Sequence, residues 1–574
     1  MFLFKNKIDV IESTLNTENI DREKCRSVYT DSIFTEQKAD IAIQNHVYDN
    51  LEIYKDYTDN ADNSIFNIIN KTQTISGEIY LKRQLNMPTT NVNTLRKLRR
   101  DVERIMDNYE LIDTKLREIQ KLERNLIPYC HNFEEQENII NSTMINFKLL
   151  NFLNNSENFL NLYNNYNIFS PIYNLLSPIL VILIPFFLAK LYFLKDIDIS
   201  KYFGYIFIGV PALSMPADKS FVSMAKVTFT ILMYLYTLYT STTFSFSTQR
   251  VLNTLHQRLV NLKQYIHIFG EIQELIGNKN SRIHYSLLDD KAYDNPYHIV
   301  SNKGKLIRHY KIINADNGQI RTSLAILGEV DFLYSIATLV RNHGYNFSEY
   351  IENKKNPCIF MKNFFHPSIP NAVKNTIDIG LKTNRNIVLT GPNAGGKSTL
   401  IKTLSIAVLL AQTIGIAPVE KMYITPFHYV NTYLNIYDTK GKKSLFENEM
   451  ERISNHIKRI KSLKPNEFAF IIIDELFSGT NPKEGVASSF AIGEQLATYP
   501  NSITVVTTHY PQLTKLTQFT NYKMEINRNN GKLNFTYQLK PGISNDYIAV
   551  DLLKDNNFDQ SIVDKANEIK EAEK

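Results

Sequence analysis

Residues 386–399 read NIVLTGPNAGGKST, and this stretch indicates the fold of the C-terminal part of the chain. The β-branched apolar run from Ile387 to Leu389 is typical of a buried strand. The next residues, from Gly391 to Ser398, match the phosphate-binding pattern Gly-x-x-x-x-Gly-Lys-Ser. The run from Leu400 to Gln412 has helical character. Strand, loop and helix therefore occur in the order that a phosphate-binding loop requires.

Each residue type in this loop has a physical role in binding phosphate. Glycines let backbone N–H groups approach phosphate oxygens, because no Cβ stands in the way. The N-terminus of the following helix adds unpaired N–H donors and a partial positive charge. Lys397 is placed to reach the β- and γ-phosphates of a nucleotide, and Ser398 can bind Mg²⁺.

A second apolar run ends in two acidic residues. Residues 468–473 read FAFIII, an unbroken apolar strand, and Asp474 and Glu475 follow directly. An aspartate at the tip of a buried strand beside the phosphate loop can hold Mg²⁺, directly or through water. Glu475 is then placed to orient or deprotonate an attacking water molecule.

A third apolar run, residues 503–506, is followed by Thr-Thr-His509-Tyr. A histidine at such a strand end can hydrogen-bond the γ-phosphate or the attacking water. A histidine alone in this position is more often structural, and the two other motifs favour the functional interpretation. The predicted catalytic residues are Lys397, Glu475 and His509, and the predicted Mg²⁺ ligands are Ser398 and Asp474.

The three motifs together resemble those of one protein family. The segments TGPNAGGKST (390–399), DELFSGTNPKEG (474–485) and TTHYPQLT (507–514) are similar to motifs of the MutS ATPases of DNA mismatch repair. The resemblance implies an α/β P-loop NTPase domain of the ABC-like, MutS type at the C-terminal end. Before it we expect an all-α core and lever domain with an apolar helical hairpin insertion.

One part of the second motif resembles a particular branch of the family. The segment NPKEG (481–485) is closer to the bacterial anti-recombination branch, whose members usually carry a C-terminal nuclease domain. The chain ends at Lys574 without such a domain. Its first 60 residues are about half the length of the family's mismatch-recognition domain. We therefore expect a MutS-like chain that lacks both of these domains.

The resemblance also implies a composite site in a dimer, with ATP and Mg²⁺ as cofactors. The segment SLFENEM (444–450) resembles the family's signature segment, which reaches the nucleotide of the partner subunit. Ser444 is therefore predicted to contact ATP across the dimer, and Asn393 is expected to contact the phosphates as its counterpart in the family does. The predicted nucleotide-binding residues are Gly391, Pro392, Asn393, Ala394, Gly395, Gly396, Lys397, Ser398, Thr399 and Ser444.

The composition is that of a folded protein with sizeable apolar cores. Of its 574 residues, 43% are hydrophobic and 21% are charged. The net charge of +6 is too small over this length to indicate nucleic-acid binding by itself. The three cysteines, Cys25, Cys130 and Cys358, are far apart and in no metal-binding spacing, which predicts reduced thiols and an intracellular location.

Patterning along the chain predicts six segments. Leu81 and Leu85 lie one helical turn apart before Pro88, and this stretch resembles the start of the MutS core domain. The run from Arg250 to Ile276 has leucines at helical spacing and predicts a long lever helix. The segments are an N-terminal helical segment (1–60), a first half of the core domain (61–169), an apolar hairpin (170–249), a second core and lever half (250–350), the ATPase domain (351–539) and a helical dimerisation tail (540–574).

Two apolar windows depart from the family pattern. Residues 172–194 contain one charge, Lys190, and residues 227–248 contain none, so each is long enough to cross a bilayer core of about 30 Å. The flanking segments are predicted to share one core domain, so the number of crossings must be even. We predict two crossings, with residues 202–215 as a re-entrant or interfacial segment. The alternative is a helical hairpin buried in protein, which the prolines and the many serines and threonines favour.

Two functions from different classes follow. The family resemblance predicts a dimeric clamp on DNA, driven by Mg-ATP binding and hydrolysis, in mismatch repair or recombination. The apolar windows predict a membrane-anchored MutS-like ATPase that acts at a bilayer without mismatch recognition, with its ATPase on the cytosolic side. A transporter ATPase is disfavoured, because the sequence contains no Leu-Ser-Gly-Gly-Gln signature.

Overall fold

The structure is a computed structural model with two compact units, each formed by two separate stretches of chain. Unit 1 comprises Met1–Thr35 and Arg117–Ala325, and unit 2 comprises Glu36–Leu116 and Ile326–Lys574. The six predicted segments remain a proposal about domain organisation. The structure describes residues 21–33, 39–41, 43–56, 58–131, 134–192, 217–277, 286–289, 293, 302–352, 354–392, 394–434, 445–477, 480–529, 532–544 and 558–572.

The described secondary structure is helical up to residue 342 and mixed beyond it. The α-helices are α1 (Arg22–Ile33), α2 (Asn45–Asn50), α3 (Ile65–Ile69), α4 (Ile75–Leu85), α5 (Val92–Asp107), α6 (Tyr109–Leu122), α7 (Ile127–Cys130), α8 (Glu134–Asn141), α9 (Glu157–Tyr192), α10 (Ala217–Leu275), α11 (Lys303–Ala315), α12 (Gly318–Asn342), α13 (Lys397–Thr413), α14 (Leu445–Ser462), α15 (Pro482–Ala497) and α16 (Gln560–Ala572). The strands are β1 (Asn346–Tyr350), β2 (Ile359–Phe364), β3 (Asn375–Ile379), β4 (Asn386–Thr390), β5 (Ile416–Ala417), β6 (Lys421–Ile424), β7 (Tyr429–Tyr433), β8 (Ala469–Asp474), β9 (Ser502–Thr507), β10 (Phe519–Asn529) and β11 (Lys532–Pro541).

Unit 1 is helical in its described residues, and its longest elements, α9 and α10, run antiparallel side by side. The hydroxyl of Tyr234 on α10 donates to the carbonyl oxygen of Leu175 on α9, at 3.3 Å. Further along, the hydroxyl of Ser245 donates to the carbonyl oxygen of Ile168, at 2.6 Å. These two bonds fix the register of the helical pair.

The boundaries of these two helices differ from the sequence prediction. The window at 227–248 and the amphipathic run from Arg250 to Ile276 are predicted as separate elements, but one helix, α10, runs through both. No proline occurs in α10 and Gly270 is its only glycine, so nothing ends the helix at residue 249. Likewise α9 begins at Glu157, well before residue 170. The predicted windows begin and end where the sequence changes between apolar and polar composition, and the helices continue past these points.

Unit 2 contains the two β-sheets of the described chain. The five-stranded sheet has the order β3-β2-β6-β1-β5, and the six-stranded sheet has the order β11-β10-β4-β9-β8-β7. From β10 to β7 the neighbours are parallel, and β11 pairs antiparallel with β10 at the edge. In register, Leu389 lies beside Thr507 and Thr507 lies beside Asp474. The carboxyl ends of β4, β8 and β9 therefore meet at one edge of the sheet.

The three predicted strands form the centre of the six-stranded sheet. Every residue of β4 and β9 is buried, and five of the six residues of β8 are buried. Val388, Ile471 and Val506, one from each strand, belong to a single apolar core cluster. Burial on both faces explains the continuous apolar runs, which are typical of parallel strands covered by helices.

A buried acid on α12 fixes the start of α4. The carboxylate of Asp331 accepts hydrogen bonds from the N–H of Gln73 at 3.0 Å, and from the N–H and the hydroxyl of Thr74, both at 2.7 Å. A Cβ on Gly77 would lie 2.1 Å from an oxygen of the same carboxylate, so only glycine fits there. The contact with Asp331 thus explains why threonine and glycine occur at positions 74 and 77.

Helix α12 is long and apolar enough to cross a membrane by length and composition. Most of its apolar stretch is buried inside the structure, however. Its buried Ser335 accepts a hydrogen bond from the N–H of Lys71 at 2.9 Å, and its Asp331 holds α4. These contacts are those of a core helix.

Some sequence predictions lie outside the described residues, and the structure says nothing of them. They are the segment 202–215, Asn393, Ser444 and residues 545–557 of the predicted dimerisation tail. The three cysteines are described, and all three are buried free thiols.

Candidate functional site

The loop between β4 and α13 depends on glycine at two positions where the backbone is left-handed or crowded. Gly391 has φ +150°, and a Cβ there would lie 3.2 Å from the Cβ of Met524. Gly396 has φ +88°, and a Cβ there would lie 3.0 Å from the ring of Tyr537. The loop backbone thus passes close to the β10–β11 hairpin, and side chains at these positions would close the space beside it.

Lys397 is the first residue of α13, and its side chain is buried beneath the loop. Its ammonium donates to the carbonyl oxygens of Gly391 and Pro392, at 3.0 and 3.2 Å. Burial lowers the pKa of Lys397, and the carboxylates of Glu475 and Asp474 oppose that shift. A buried ammonium that is held only by carbonyls and a nearby carboxylate can exchange these partners for phosphate oxygens.

Glu475 and His509 come from two neighbouring strands and meet beside Lys397. Nε2 of His509 lies 2.8 Å from Oε1 of Glu475, and the same oxygen lies 3.9 Å from Nζ of Lys397. Nε2 also lies 3.2 Å from Nζ of Lys397, but one nitrogen cannot donate to Glu475 and accept from Lys397 together. We assign the hydrogen to Nε2, because the carboxylate contact is shorter. This hydrogen bond holds the pKa of Glu475 below its usual range.

Thr507, the last residue of β9, connects the two acids of the site. Its hydroxyl donates to Oδ1 of Asp474. The N–H of Glu475 lies 3.2 Å from both the hydroxyl and the carbonyl oxygen of Thr507. One side chain therefore positions the carboxylate of Asp474 and the backbone of Glu475.

The backbone after β8 is strained, which is common at functional sites. Glu475 and Phe477 have φ of +52° and +58°, a region that L-residues seldom adopt. The hydroxyl of Tyr510 donates to the carbonyl oxygen of Phe477 at 3.0 Å. A Cβ on Gly485 would lie 2.7 Å from that hydroxyl, so glycine is required for this bond to form. Tyr510 thus holds the turn that presents Glu475, and Gly485 of α15 leaves room for its hydroxyl.

A cavity of about 680 Å³ opens over the loop. One side of it is polar and includes Lys397, Ser398 and Glu475. Another side is largely apolar and is formed by two segments, one before β3 and the other on the β10–β11 hairpin. The residues on this side include Phe365, His366, Ile369, Pro370, Val373, Met524 and Tyr537. A ligand with an anionic end and a flat apolar end fits these two sides.

The structure brings most of the predicted site residues together at one sheet edge. Lys397, Glu475 and His509 are in mutual contact, and Asp474 is joined to them through Thr507. Ser398 is exposed at the first turn of α13 and lines the cavity, as do Pro392, Ala394, Gly396 and Thr399.

Sequence reasoning missed Thr507 as a positioning residue, and it missed Met524 and Tyr537 altogether. Thr507 stood within a motif, but only the register of β8 and β9 shows what its hydroxyl contacts. Nothing in the sequence around Met524 or Tyr537 indicates a ligand. Their position depends on the pairing of β10 with β4, far away in the chain.

Comparison with known proteins agrees with this arrangement. Residues 387–573, which include β4, the loop, β8 and β9, match the family model of MutS domain V. Residues 387–573 are therefore a domain of the MutS domain V family. The domain V match places the MutS-type part of the chain in unit 2.

The chain is similar to its relatives over only part of their length. It is 30% identical over 251 residues to the DNA mismatch repair protein MutS of Persephonella marina, which is 42% of this chain and 28% of that protein. It is 30% identical over 261 residues to the endonuclease MutS2 of Ligilactobacillus salivarius, which is 44% of this chain and 31% of that protein. For the endonuclease MutS2 of Thermus thermophilus the identity is 36% over 183 residues, or 32% and 23% of the two chains. The MutS-like match thus spans less than a third of each of these relatives.

Proposed function

We propose that the chain binds and hydrolyses Mg-ATP at this site, and that the cycle drives a dimeric clamp on DNA inside the cell. The observation that carries the ATPase part is the meeting of Lys397, Glu475 and His509 at one sheet edge, beneath a glycine loop and a helix N-terminus. A buried cation, a carboxylate of lowered pKa and unpaired N–H donors are the groups that phosphoryl transfer to water needs.

Each of the three side chains has a distinct part in this proposal. Lys397 neutralises charge that develops on the transferred phosphoryl group, and it does so from a buried position where water screens little. Glu475 stays ionised and orients the attacking water or accepts its proton. His509 holds Glu475 in place through their 2.8 Å contact and donates to the γ-phosphate when the carboxylate turns to the water.

The residues present fit Mg²⁺. The hydroxyl of Ser398 is exposed to the cavity, and Asp474 supplies a carboxylate whose orientation Thr507 fixes. Oxygen donors of this kind suit a hard divalent cation, so Ser398 and Asp474 would hold it. When bound, Mg²⁺ neutralises negative charge on the β- and γ-phosphate oxygens.

The apolar side of the cavity supports a nucleotide over a bare polyphosphate. The rings of Tyr537 and Phe365 offer flat surfaces to a purine. Burial lowers the pKa of His366 to about 4, so its imidazole is neutral at pH 7 and can also stack on a base. The polar and apolar sides together can hold the triphosphate and the base of one ATP.

Two substitutions test the ATPase directly. We expect Lys397→Ala and Glu475→Ala each to lower ATP turnover by roughly a hundredfold or more. Only Glu475→Ala should still retain ATP, because it keeps the phosphate-binding loop and loses the group that activates water. Steady-state phosphate release and filter retention of labelled ATP measure the two quantities.

A matched control and a contradicting result complete this test. Lys382→Ala removes an exposed lysine in the turn before β4 and should leave both measurements unchanged. Full turnover by Glu475→Ala would show that the assignment of the water-activating carboxylate is wrong.

The DNA part of the proposal rests on the relatives, one of which is named a DNA mismatch repair protein. Stimulation of turnover by heteroduplex or branched DNA, lost as salt is raised, would support a clamp on DNA. A turnover rate that is indifferent to every DNA tested would favour the alternative, a membrane-anchored ATPase of the same type that acts at a bilayer and not on DNA.

A further inference from the structure

The helical pair of unit 1 carries an unusual concentration of exposed apolar side chains. We define the apolar belt as residues 172–191 of α9 and 229–236 of α10. Sixteen of the 35 large hydrophobic side chains that are exposed in the described residues lie on it. They are Ile172, Tyr173, Leu175, Leu176, Ile179, Leu180, Ile184, Phe187, Leu188, Leu191, Phe229, Ile231, Leu232, Met233, Leu235 and Tyr236. The ring of Phe187 is 62% exposed and that of Phe229 is 64% exposed.

The belt is too wide to be the docking face of a single protein partner. At about 100° per residue, the exposed side chains of α9 cover an arc of about 220°, and those of α10 cover about 200°. A helix that docks on one partner presents a stripe of roughly 100°. Because apolar side chains cover more than half of the circumference of each helix, the helical pair requires apolar surroundings on all the sides that face away from the partner helix.

The α9 part of the belt is as long as a bilayer core is thick. Twenty helical residues, 172–191, span about 30 Å. Within α9 the sequence has no charged residue between Glu157 and Lys190, and in α10 it has none between Lys226 and Arg250. Lys190, which lies at the end of the α9 part, is therefore the only charged residue of the belt.

Several polar groups within and beside the belt bond to the helices themselves. The hydroxyl of Ser177 donates to the carbonyl oxygen of Asn174 at 2.8 Å, and that of Thr237 donates to Met233 at 2.8 Å. The hydroxyl of Tyr234 bonds across to Leu175. This internal pairing is required where no water is available, because an unpaired polar group in hydrocarbon is costly.

The two ends of the belt carry the residue types that favour a membrane–water interface. At one end, Tyr166 and Tyr173 stack with their ring centroids 6.1 Å apart. At the other end, the ammonium of Lys190 lies 6.0 Å from the ring of Phe186, one helical turn earlier.

We propose that the apolar belt lies in the hydrocarbon core of a lipid bilayer, which α9 and α10 cross as a two-helix hairpin. Because the helices are antiparallel, the chain before α9 and the chain after α10 are on the same side of that bilayer. This inference is independent of ATP hydrolysis, since no belt residue lines the cavity of unit 2.

The chain contains no tryptophan, so a single introduced one reports on its own surroundings. We would make Phe187→Trp in the belt and, as a matched control, Phe152→Trp, which replaces a ring that is 66% exposed outside it. Each full-length protein is reconstituted into phosphatidylcholine vesicles with or without bromine on the acyl chains. The belt tryptophan should lose most of its fluorescence in brominated vesicles and emit at shorter wavelength, while the control should change little.

Three outcomes would overturn the proposal. The first is equal quenching of the two tryptophans. The second is release of the wild-type protein from membranes by alkaline carbonate without detergent. The third is a monodisperse dimer in detergent-free buffer in which the emission of the belt tryptophan moves to shorter wavelength on dimerisation. That result would mean that a second copy of the chain covers the belt. ATP turnover, measured on the same samples, shows whether the ATPase proposal stands or fails separately.

A pair of lysine substitutions gives a second test of the same surface. Ile179→Lys with Leu232→Lys places two charges in the belt, and Leu162→Lys with Ile312→Lys places two at exposed apolar positions of unit 1 outside it. We expect only the belt pair to reduce the carbonate-resistant fraction, because a charge at mid-bilayer is costly. Equal behaviour of the two pairs contradicts the proposal.

Discussion

Thr507 shows how a residue that touches no substrate can govern the site. Its hydroxyl donates to Asp474 and lies 3.2 Å from the N–H of Glu475. Glu475 is in a left-handed backbone conformation, so it needs such support to stay in place. We therefore regard Thr507 as a positioning residue for both acids.

Removing this hydroxyl should slow turnover without unfolding the sheet. Thr507→Val keeps the β-branched shape and loses the hydrogen bonds, so we expect kcat to fall roughly ten- to a hundredfold through misplaced carboxylates. Thr507→Ser keeps the hydroxyl and should retain most of the activity. Steady-state kinetics of the two variants, with a thermal unfolding curve for each, separate positioning from stability. Equal loss in both would contradict this role.

His456 on α14 makes the stability of unit 2 depend on pH. Burial, together with smaller effects of the nearby His46 and Arg452, lowers its pKa to about 4. An unfolded histidine has a pKa near 6.5, so between about pH 6.5 and pH 4 the unfolded chain binds one more proton than the folded chain. Folding stability is therefore lost as the pH falls through this window, and the loss is complete near pH 4.

The variant His456→Gln should flatten this dependence. We expect the slope of the unfolding free energy against pH to decrease by up to about 1.4 kcal/mol per pH unit between pH 4 and 6.5. At pH 7.5 the imidazole is neutral in both states, so the variant there reports only the changed packing and the lost 3.0 Å contact with Tyr429. Urea titrations across the range measure both. An unchanged slope would mean that His456 takes up its proton in the folded state.

Among the elements, the β10–β11 hairpin forms one wall of the cavity. Tyr537 has φ +54°, and Asn375 on β3 holds the hairpin on both sides of it. The amide of Asn375 donates to the carbonyl oxygen of Tyr537 at 3.1 Å and accepts from the N–H of Leu539 at 2.7 Å. The hairpin thus holds the Tyr537 ring close to Gly396.

The wall should contribute to nucleotide binding and not to the chemical step. We expect Tyr537→Ala to raise KM for ATP roughly tenfold with little change in kcat, because a stacked ring binds ground state and transition state alike. Gln538→Ala changes the next residue, which does not line the cavity, and should have no effect. A fall in kcat with unchanged KM for Tyr537→Ala would contradict this.

Sequence reasoning located the elements of the site because the patterns there are local. A β-branched run before Gly391 and an apolar run before Asp474 predict strands, and parallel strands bring their carboxyl ends together. The contacts of Thr507 and Tyr537 depend on strand register, which is set by packing over long sequence distances. The full length of α10 could not be predicted from composition, because a helix continues through a change from apolar to amphipathic residues when no breaker is present.

At the scale of the whole molecule, the proposed composite site can be tested by mixing two variants of the protein. If Ser444 of one subunit completes the site of its partner, a dimer of one Lys397→Ala subunit and one Ser444→Ala subunit has one intact site. Mixing the two inactive proteins should therefore restore roughly a quarter of the wild-type rate at statistical exchange of a symmetric dimer. Phosphate release after co-incubation of the two variants measures this.

The absence of rescue would have a specific meaning. If subunits exchange, as a tagged and an untagged variant can show, and no activity returns, then Ser444 does not act across the dimer. A Ser444→Ala protein with full turnover would exclude it from the site altogether.

The interleaving of the two units has a consequence for biogenesis. Unit 1 is completed only when residue 325 has left the ribosome, although it begins at the N-terminus, and unit 2 needs residues 36–116 together with the last part of the chain. Neither unit can finish folding as an uninterrupted stretch of the nascent polypeptide, so residues 36–116 must await their partners for more than 200 further codons. Such a chain exposes apolar surface throughout translation, and its yield should depend on chaperones that shield the early segments.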